Sequence, residues 1–351
     1  MRFDLIIVGQ GLAGSVLACE AQSRGLSVGI IDNGWKLSAS MVAAGMWNPV
    51  SFRKIISVWR DQECMEALQT KYPAWEKSLE SQFYFDRPVM RVFPNQEYAD
   101  LWAKRVTEGM PWIKAVNELP NRIKAPHGAG LVDQAGYLHL PRFLKSVRDF
   151  ASAESRLLEE EFDPEYLKTD AGRRTPEKGI TAGVVYKDWQ ADHLIIAMGT
   201  SARNLSWYQD LPLQTNKGEV LDVNVKDFQR DITANNGKWL LPYEGGGYKL
   251  GASYDWRQDD LEKSDEVREM LLEKVQLMLD AEVSVVEHKV GLRPTVKDRR
   301  PLLGELEPQI WSFNGLGTRG VLIAPLLAGE LLNHIFEGTP LHPETDLNRF
   351  K

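Results

Sequence analysis

Short, unbroken apolar runs alternate with amphipathic stretches along this chain. Residues 5–8 (LIIV) are continuously apolar. They predict a strand buried on both faces, as in a parallel sheet. Residues 15–24 then read as a helix that Gly25 can end, and 26–31 as a second strand ending on Asp32. Residues 58–82 have a helical pattern, with Trp59, Leu68, Trp75 and Leu79 as core positions. Residues 83–93 (FYFDRPVMRVF) have strand character, interrupted at Pro88 in a way that favours an edge or a bend. A helix is predicted over 97–109, a glycine-rich crossing loop over 128–136, and a helix starting near Pro141 within 137–153.

The second half repeats the alternation. Residues 154–179 are strongly polar, with Glu159, Glu160 and Glu161 in a row, and predict a solvated helix end and loop. Residues 180–186 and 194–197 predict strands, the latter stopped by Gly199. Residues 217–225 and 238–256 are β-rich, with a hairpin turning at 244–247. Over 264–281 the apolar positions Val267, Leu271, Val275 and Met278 recur at helical spacing behind a Ser264 cap. A strand over 283–290 follows. Gly315, Gly317 and Gly320 then lead into an apolar helix that reaches Glu337 and stops at Gly338, with Pro325 in its first turn or at a kink.

Composition narrows the class. The 351 residues suit two domains or one elaborated one, and 43% hydrophobic with 26% charged residues is ordinary for a soluble globular protein. A net charge of −7 argues against a general binder of nucleic acid or anionic membranes. Two cysteines, Cys19 and Cys64, make no disulfide framework, and neither they nor the six histidines have metal-ligand spacing, so no metal is expected. Cys19 reads as a small buried thiol. The opening apolar run is too short for a signal peptide, and no apolar stretch reads as long enough to cross a bilayer. These readings make a cytoplasmic enzyme the expectation and leave the oligomeric state open.

The chemistry begins where the first strand ends. Gly9, Gly11 and Gly14 stand at Gly-x-Gly-x-x-Gly spacing inside a strand, turn, helix, strand, acid unit. That context turns a weak motif into a dinucleotide-binding prediction. Gly9 permits the tight turn, Gly11 lets a pyrophosphate approach the backbone, and Gly14 lets helix and strand pack closely. Leu12 and Ala13 open the helix whose N-terminus would hold phosphate. Asp32 sits where a ribose hydroxyl needs an acceptor. Residues 38–45 are small, and their backbone and hydroxyls, Ser40 among them, can approach a flat ligand; a plain loop reads equally well. Residues 194–197 running into Gly199 repeat the opening pattern, so the nucleotide-binding unit reads as discontinuous.

Five ordered segments resemble the D-amino-acid oxidase superfamily, specifically glycine oxidase and its bacterial relatives. They are the opening fingerprint, "SASMVAAGMWNP", "LIIAMGTSA", "WLLPYEGGGYKLGAS", and the pair "GLRPTVKDRRPLLG" and "NGLGTRGVLIAP". The resemblance runs nearly end to end. It implies an α/β fold: a discontinuous Rossmann-like FAD-binding domain (1–48, 128–205 and 289–351) with an interleaved α+β substrate domain (49–127 and 206–288) on a mainly antiparallel sheet. It implies that Ala43, Ala44 and Gly45 lie along the isoalloxazine and that Gly317, Thr318, Arg319, Gly320 and Val321 lie near its pyrimidine edge. Arg293 falls on the family's carboxylate-binding arginine, and backbone near Thr318 would hold the amine. Asp32 stands where the family commonly has Glu, and Arg319 is displaced by one from an arginine found in some glycine oxidases. Tyr243, Tyr248 and Tyr254 are candidates for active-site tyrosines. No Cys or His stands where sarcosine oxidases tether flavin, which implies non-covalent FAD.

The implied activity is oxidation of the C–N bond of a small amine or amino acid, with hydride transfer to flavin N5 and hydrolysis of the imine. Oxygen or another carrier would accept the electrons, and no nucleic-acid partner is expected. One alternative is a modification enzyme acting on a larger amine, such as modified tRNA. Another is an inactive flavoprotein subunit of a multi-chain dehydrogenase. An NAD-dependent dehydrogenase accounts for the opening but not for the four later segments.

Overall fold

A computed structural model describes residues 1–36, 38–116, 118–169 and 183–350. The opening strand, Arg2–Val8, sits between two parallel partners. Val28–Asp32 flanks one side and Trp189–Ile196 the other, with Ile6 opposite Gly29 and Leu194. Leu157–Glu159 extends the sheet in parallel beyond Val28–Asp32, and Ile310–Asn314 pairs in parallel with Trp189–Ile196. Leu167–Thr169, Val184–Tyr186 and Leu302–Glu307 complete eight strands with antiparallel pairings.

The run at 5–8 is apolar throughout because both of its faces are covered. Leu5 and Ile7 pack into one core with Val16, Leu17, Leu68, Phe143 and Leu322. Ile6 and Val8 pack on the other face with Leu194, Ile196 and Tyr208. The first face is covered by the helices Leu12–Ser23, Asp61–Ser78, Leu140–Ala153 and Gly320–Glu337.

A second eight-stranded sheet runs in the order Val283–Val296, Leu213–Val225, Tyr248–Gly251, Trp239–Pro242, Thr233–Asn235, Val89–Val92, Ala129–Val132, Ile113–Ala115. Only the pairing of Thr233–Asn235 with Val89–Val92 is parallel. One face packs Leu221, Val223, Leu240 and Leu250 against Leu271, Val275 and Met278 of the helix Asp265–Met278. Ser264 caps that helix, its Oγ accepting from the Val267 N–H at 3.2 Å. The opposite face carries Gly218, Val220, Trp239 and Arg293 toward the first sheet.

Several expectations change. Residues 128–136 are not a crossing loop but hold the strands Ala129–Val132 and Gly136–Leu138. Within the polar tract, Leu157–Glu159 is a sheet strand and not solvated loop; residues 170–182 lie outside the described ones. The helices at 15–24 and 58–82 span Leu12–Ser23 and Asp61–Ser78. Residues 83–93 divide at Pro88 into Tyr84–Asp86 and Val89–Val92, which join different sheets. Gly317–Glu337 is, against expectation, long and apolar enough to cross a bilayer. Here its helix lies in the core, with Val321, Leu322, Leu327, Leu331 and Leu332 buried. It closes at Gly338, whose φ of 71° is the left-handed conformation that suits a helix end.

Candidate active site

A cavity of about 500 Å³ runs from the carboxyl end of the first sheet to the free face of the second. At its first end the strand Arg2–Val8 turns at Gly9, whose φ of 96° few other residues adopt. A Cβ at Gly9 would lie 2.7 Å from the Ala197 carbonyl oxygen, and one at Gly14 only 1.8 Å from the Gly9 carbonyl oxygen. The turn is therefore closed to side chains where it packs on itself. Gly11, Leu12 and Ala13 face the cavity at the start of the helix Leu12–Ser23, whose first N–H groups lack intrahelical partners. The Leu12 N–H donates to Ser40 Oγ at 3.0 Å, pinning the 38–45 segment against the turn.

Asp32 lines the same end and is nearly buried. Its Oδ1 accepts from the Gly34 and Trp35 N–H groups and from Arg148 Nη1 at 2.9, 3.1 and 3.0 Å. Among the described residues its Oδ2 accepts only from the Gln10 N–H, at 2.8 Å, which leaves that oxygen able to accept from a hydroxyl. Arg148 stacks 4.8 Å from the centre of the Trp35 ring, and Trp35 itself lines the cavity.

Ala43, Ala44 and Gly45 form one wall in the middle, and Gly317, Thr318, Gly320 and Val321 stand at the N-terminus of the C-terminal helix. That helix end would favour negative charge in the cavity. At the far end, Arg293 stands opposite Asn216 in the pairing of the two long strands. Its Nη1 donates to Asn216 Oδ1 at 2.9 Å and to the Ser253 carbonyl at 3.2 Å. Nε and Nη2 have no hydrogen-bond partner among the described residues, and the side chain lines the cavity. A Cβ at Gly218 would lie 2.1 Å from Arg293 Nη1, so the bare backbone at that position is what lets the guanidinium lie across the strand. Arg293 has no carboxylate within ion-pair distance among the described residues, and burial pushes it below its ordinary pKa.

Of the residues singled out in the sequence, Gly9, Gly11, Leu12, Ala13, Asp32, Ser40, Ala43, Ala44, Gly45, Gly199, Arg293, Gly317, Thr318, Gly320 and Val321 all line this one cavity. Gly14 does not; it serves the packing beneath the turn. Arg319 does not either: its guanidinium turns away to donate to the Asn48 and Val50 carbonyls at 3.1 and 3.4 Å. Of the three tyrosines, Tyr254 lines the cavity, 4.7 Å from Arg293, while Tyr243 packs on Tyr137 and His139 and Tyr248 donates to the Phe228 carbonyl. Trp35, Gly218 and Val220 are cavity residues that carried no motif, and Trp239 and Ala252 lie in the segment WLLPYEGGGYKLGAS without having been singled out. Two of the eleven tryptophans, Trp35 and Trp239, line the cavity, and Trp47, Trp75 and Trp102 fill the core.

The space and its lining fit an extended dinucleotide. Comparisons with known proteins agree. A family model described as FAD dependent oxidoreductase matches residues 4–334. The tRNA 5-methylaminomethyl-2-thiouridine biosynthesis bifunctional protein of Idiomarina loihiensis is 24% identical over 372 residues, covering 100% of this chain and 59% of the relative. The chain thus spans little more than half of that relative. Glycine oxidase of Geobacillus kaustophilus is 26% identical over 352 residues, covering 93% of this chain and 90% of the relative. The crystal structure of glycine oxidase from the same organism superposes with a TM-score of 0.77 at 22% identity, covering 100% of this chain and 98% of that one.

Proposed function

The chain belongs to the FAD-dependent oxidoreductase family, and from that premise we propose that it oxidises the C–N bond of an amine whose neighbouring carbon bears a carboxylate. One observation carries this reading. Arg293 lines the cavity with no carboxylate within ion-pair distance and no hydrogen-bond partner for Nε or Nη2 among the described residues. A guanidinium edge of that kind matches a carboxylate through two parallel hydrogen bonds.

FAD, when bound, supplies the electron acceptor for the carbon–nitrogen bond. The residues of the chain hold and align the substrate. Arg293 fixes the carboxylate, Trp239 and Tyr254 bound the space beside it, and the backbone around Gly317 and Thr318 stands across the cavity for the amine. Asp32 and the turn at Gly9 to Ala13 hold the nucleotide end. No Cys or His among the described residues lines the cavity, which supports a non-covalently held cofactor.

The test is anaerobic bleaching of the flavin absorbance by glycine, sarcosine, proline and the D- and L-amino acids in turn. Bleaching by a carboxylated amine is expected, and readmitted air then tells oxygen from another acceptor. Arg293→Ala should retain flavin and raise KM about a hundredfold or more, since two charge-assisted hydrogen bonds are worth about 1.5–3 kcal/mol each. Unchanged kinetics in that variant would sink the reading.

A larger amine is the second reading. It is favoured by Tyr254, which lines the cavity and is 55% exposed, and by the tRNA-modifying relative. The net charge of −7 weighs against it.

A further inference from the structure

Past the strand Tyr248–Gly251 the chain stays beside Leu213–Val225 after the regular pairing has ended. The Ser253 N–H donates to the Glu219 carbonyl at 3.2 Å, and the Glu219 N–H to Ser253 Oγ at 2.9 Å. Asp255 and Lys217 then exchange both backbone hydrogen bonds, at 2.8 and 3.0 Å, as an isolated pair. Asn216 ties this stretch to the guanidinium of Arg293. Its Oδ1 accepts from Arg293 Nη1 at 2.9 Å, and its Nδ2 donates to the Asp255 carbonyl at 3.0 Å. Tyr254 lies within the stretch and lines the cavity, its ring centre 4.7 Å from the Arg293 guanidinium carbon. The bare backbone of Gly218 and the Tyr254 ring are thus both close neighbours of the guanidinium.

Side chains alternate along a strand, so Lys217 leaves the sheet on the face opposite to Asn216 and Gly218. It is 3% exposed and is not part of the cavity lining. Its Nζ donates to Gln258 Oε1 at 3.1 Å and to Asp260 Oδ1 at 2.5 Å. Both acceptors lie on the loop that continues from Asp255. A second ion pair from that loop, Asp259 with Arg203 at 3.7 Å, joins two exposed side chains and adds little. Chain beyond an isolated pair opens locally unless something holds it. Lys217 is suited to hold it, because a buried ammonium that loses its acceptors is left uncompensated.

We propose that Lys217 is a positioning residue for carboxylate binding. From the far face of the sheet it fixes the segment 253–260 and so keeps the Tyr254 ring against Arg293. It touches neither the substrate nor the cofactor. This inference rests on the reading of Arg293 given above.

Binding of methoxyacetate to the holoenzyme tests it. This carboxylate has no C–N bond to oxidise, and its binding is followed through the flavin absorbance. Lys217→Met keeps the apolar stem, and the half-exposed Asp260 is left to water, so flavin content should persist. Methoxyacetate should bind about tenfold more weakly to that variant, and Lys217→Arg should recover all but about threefold. Tyr254→Ala should weaken binding to a similar degree, and adding Lys217→Met to it should cost less than about twofold more, since the two residues act through one contact. Asp260→Ala, at the exposed end of the same contact, should shift affinity in the same direction and decides the matter if Lys217→Met does not fold. Affinity that neither Lys217→Met nor Asp260→Ala changes would overturn the proposal and leave Arg293 its role. So would a full further loss when Lys217→Met is added to Tyr254→Ala, which is the mark of a general structural effect. If methoxyacetate does not bind the unsubstituted holoenzyme, the Arg293 reading itself fails and takes the proposal with it.

Discussion

Gly218 has no chemistry of its own, yet it decides where the guanidinium of Arg293 can lie. The atoms that an added Cβ would strike are Arg293 Nη1, Cζ and Nη2, the far end of a flexible side chain. Gly218→Ala should therefore fold normally and mispoint the guanidinium. KM for a carboxylated amine is expected to rise about tenfold, about 1.4 kcal/mol, with the melting temperature almost unchanged. Steady-state kinetics alongside a thermal scan check both halves. Arg293 could be read from the sequence because it stands in a short signature, Gly-Leu-Arg-Pro. Gly218 could not, because its meaning depends on the register that brings it beside residue 293 on another strand. Arg148 is a similar case: an unremarkable helix residue until the fold places its guanidinium on Asp32.

The helix Leu140–Ala153 begins at His139, whose Nδ1 accepts from the Arg142 N–H at 3.3 Å. Only a neutral imidazole can accept that bond. Burial, reinforced by the Arg142 charge, lowers the His139 pKa to about 4. The unfolded chain, with an ordinary histidine pKa of about 6.5, binds this proton more readily than the folded one. The neutral cap thus contributes fully above about pH 6.5, and its contribution is lost as pH falls through about 4. His139→Asn keeps a capping acceptor that does not titrate. Its melting temperature should fall less than that of the unsubstituted protein between pH 6.5 and 4; parallel curves would contradict the assignment. At this scale the sequence was legible where a residue has one common use, as with Ser264 at a helix start and Gly338 at a helix end. It misled where a residue has two. Gly130 suggested a loop, but it lies in a strand paired with Arg91 and Ala115, and it is glycine there because a Cβ would sit 2.0 Å from Trp102. Leu157–Glu159 is too short and too charged to show a strand period, and its place is fixed only by its partner Val28–Asp32.

Across the whole molecule, the cofactor space is shared between two sheets drawn from distant parts of the chain. FAD held there without a covalent bond is a ligand of the folded state alone, so it stabilises by mass action. The melting temperature should climb with added FAD, free FAD at 100 times its Kd contributing about 2.7 kcal/mol. Acid precipitation should leave the flavin in the supernatant; flavin in the pellet would mean a covalent tether. The two-sheet plan was legible through the family resemblance that five ordered segments carry. The path between them was less so, since pairing partners are chosen by distant segments. The opening strand shows what that implies for the chain's birth. Its neighbour Trp189–Ile196 is made nearly two hundred residues later. At roughly 5–20 residues per second, Arg2–Val8 has an apolar edge without its partner for on the order of ten seconds or longer. The nucleotide-binding turn is thus made well before the strand that completes its sheet. Its early exposure gives chaperones an apolar segment to shield, and FAD can be captured only after most of the chain has been translated.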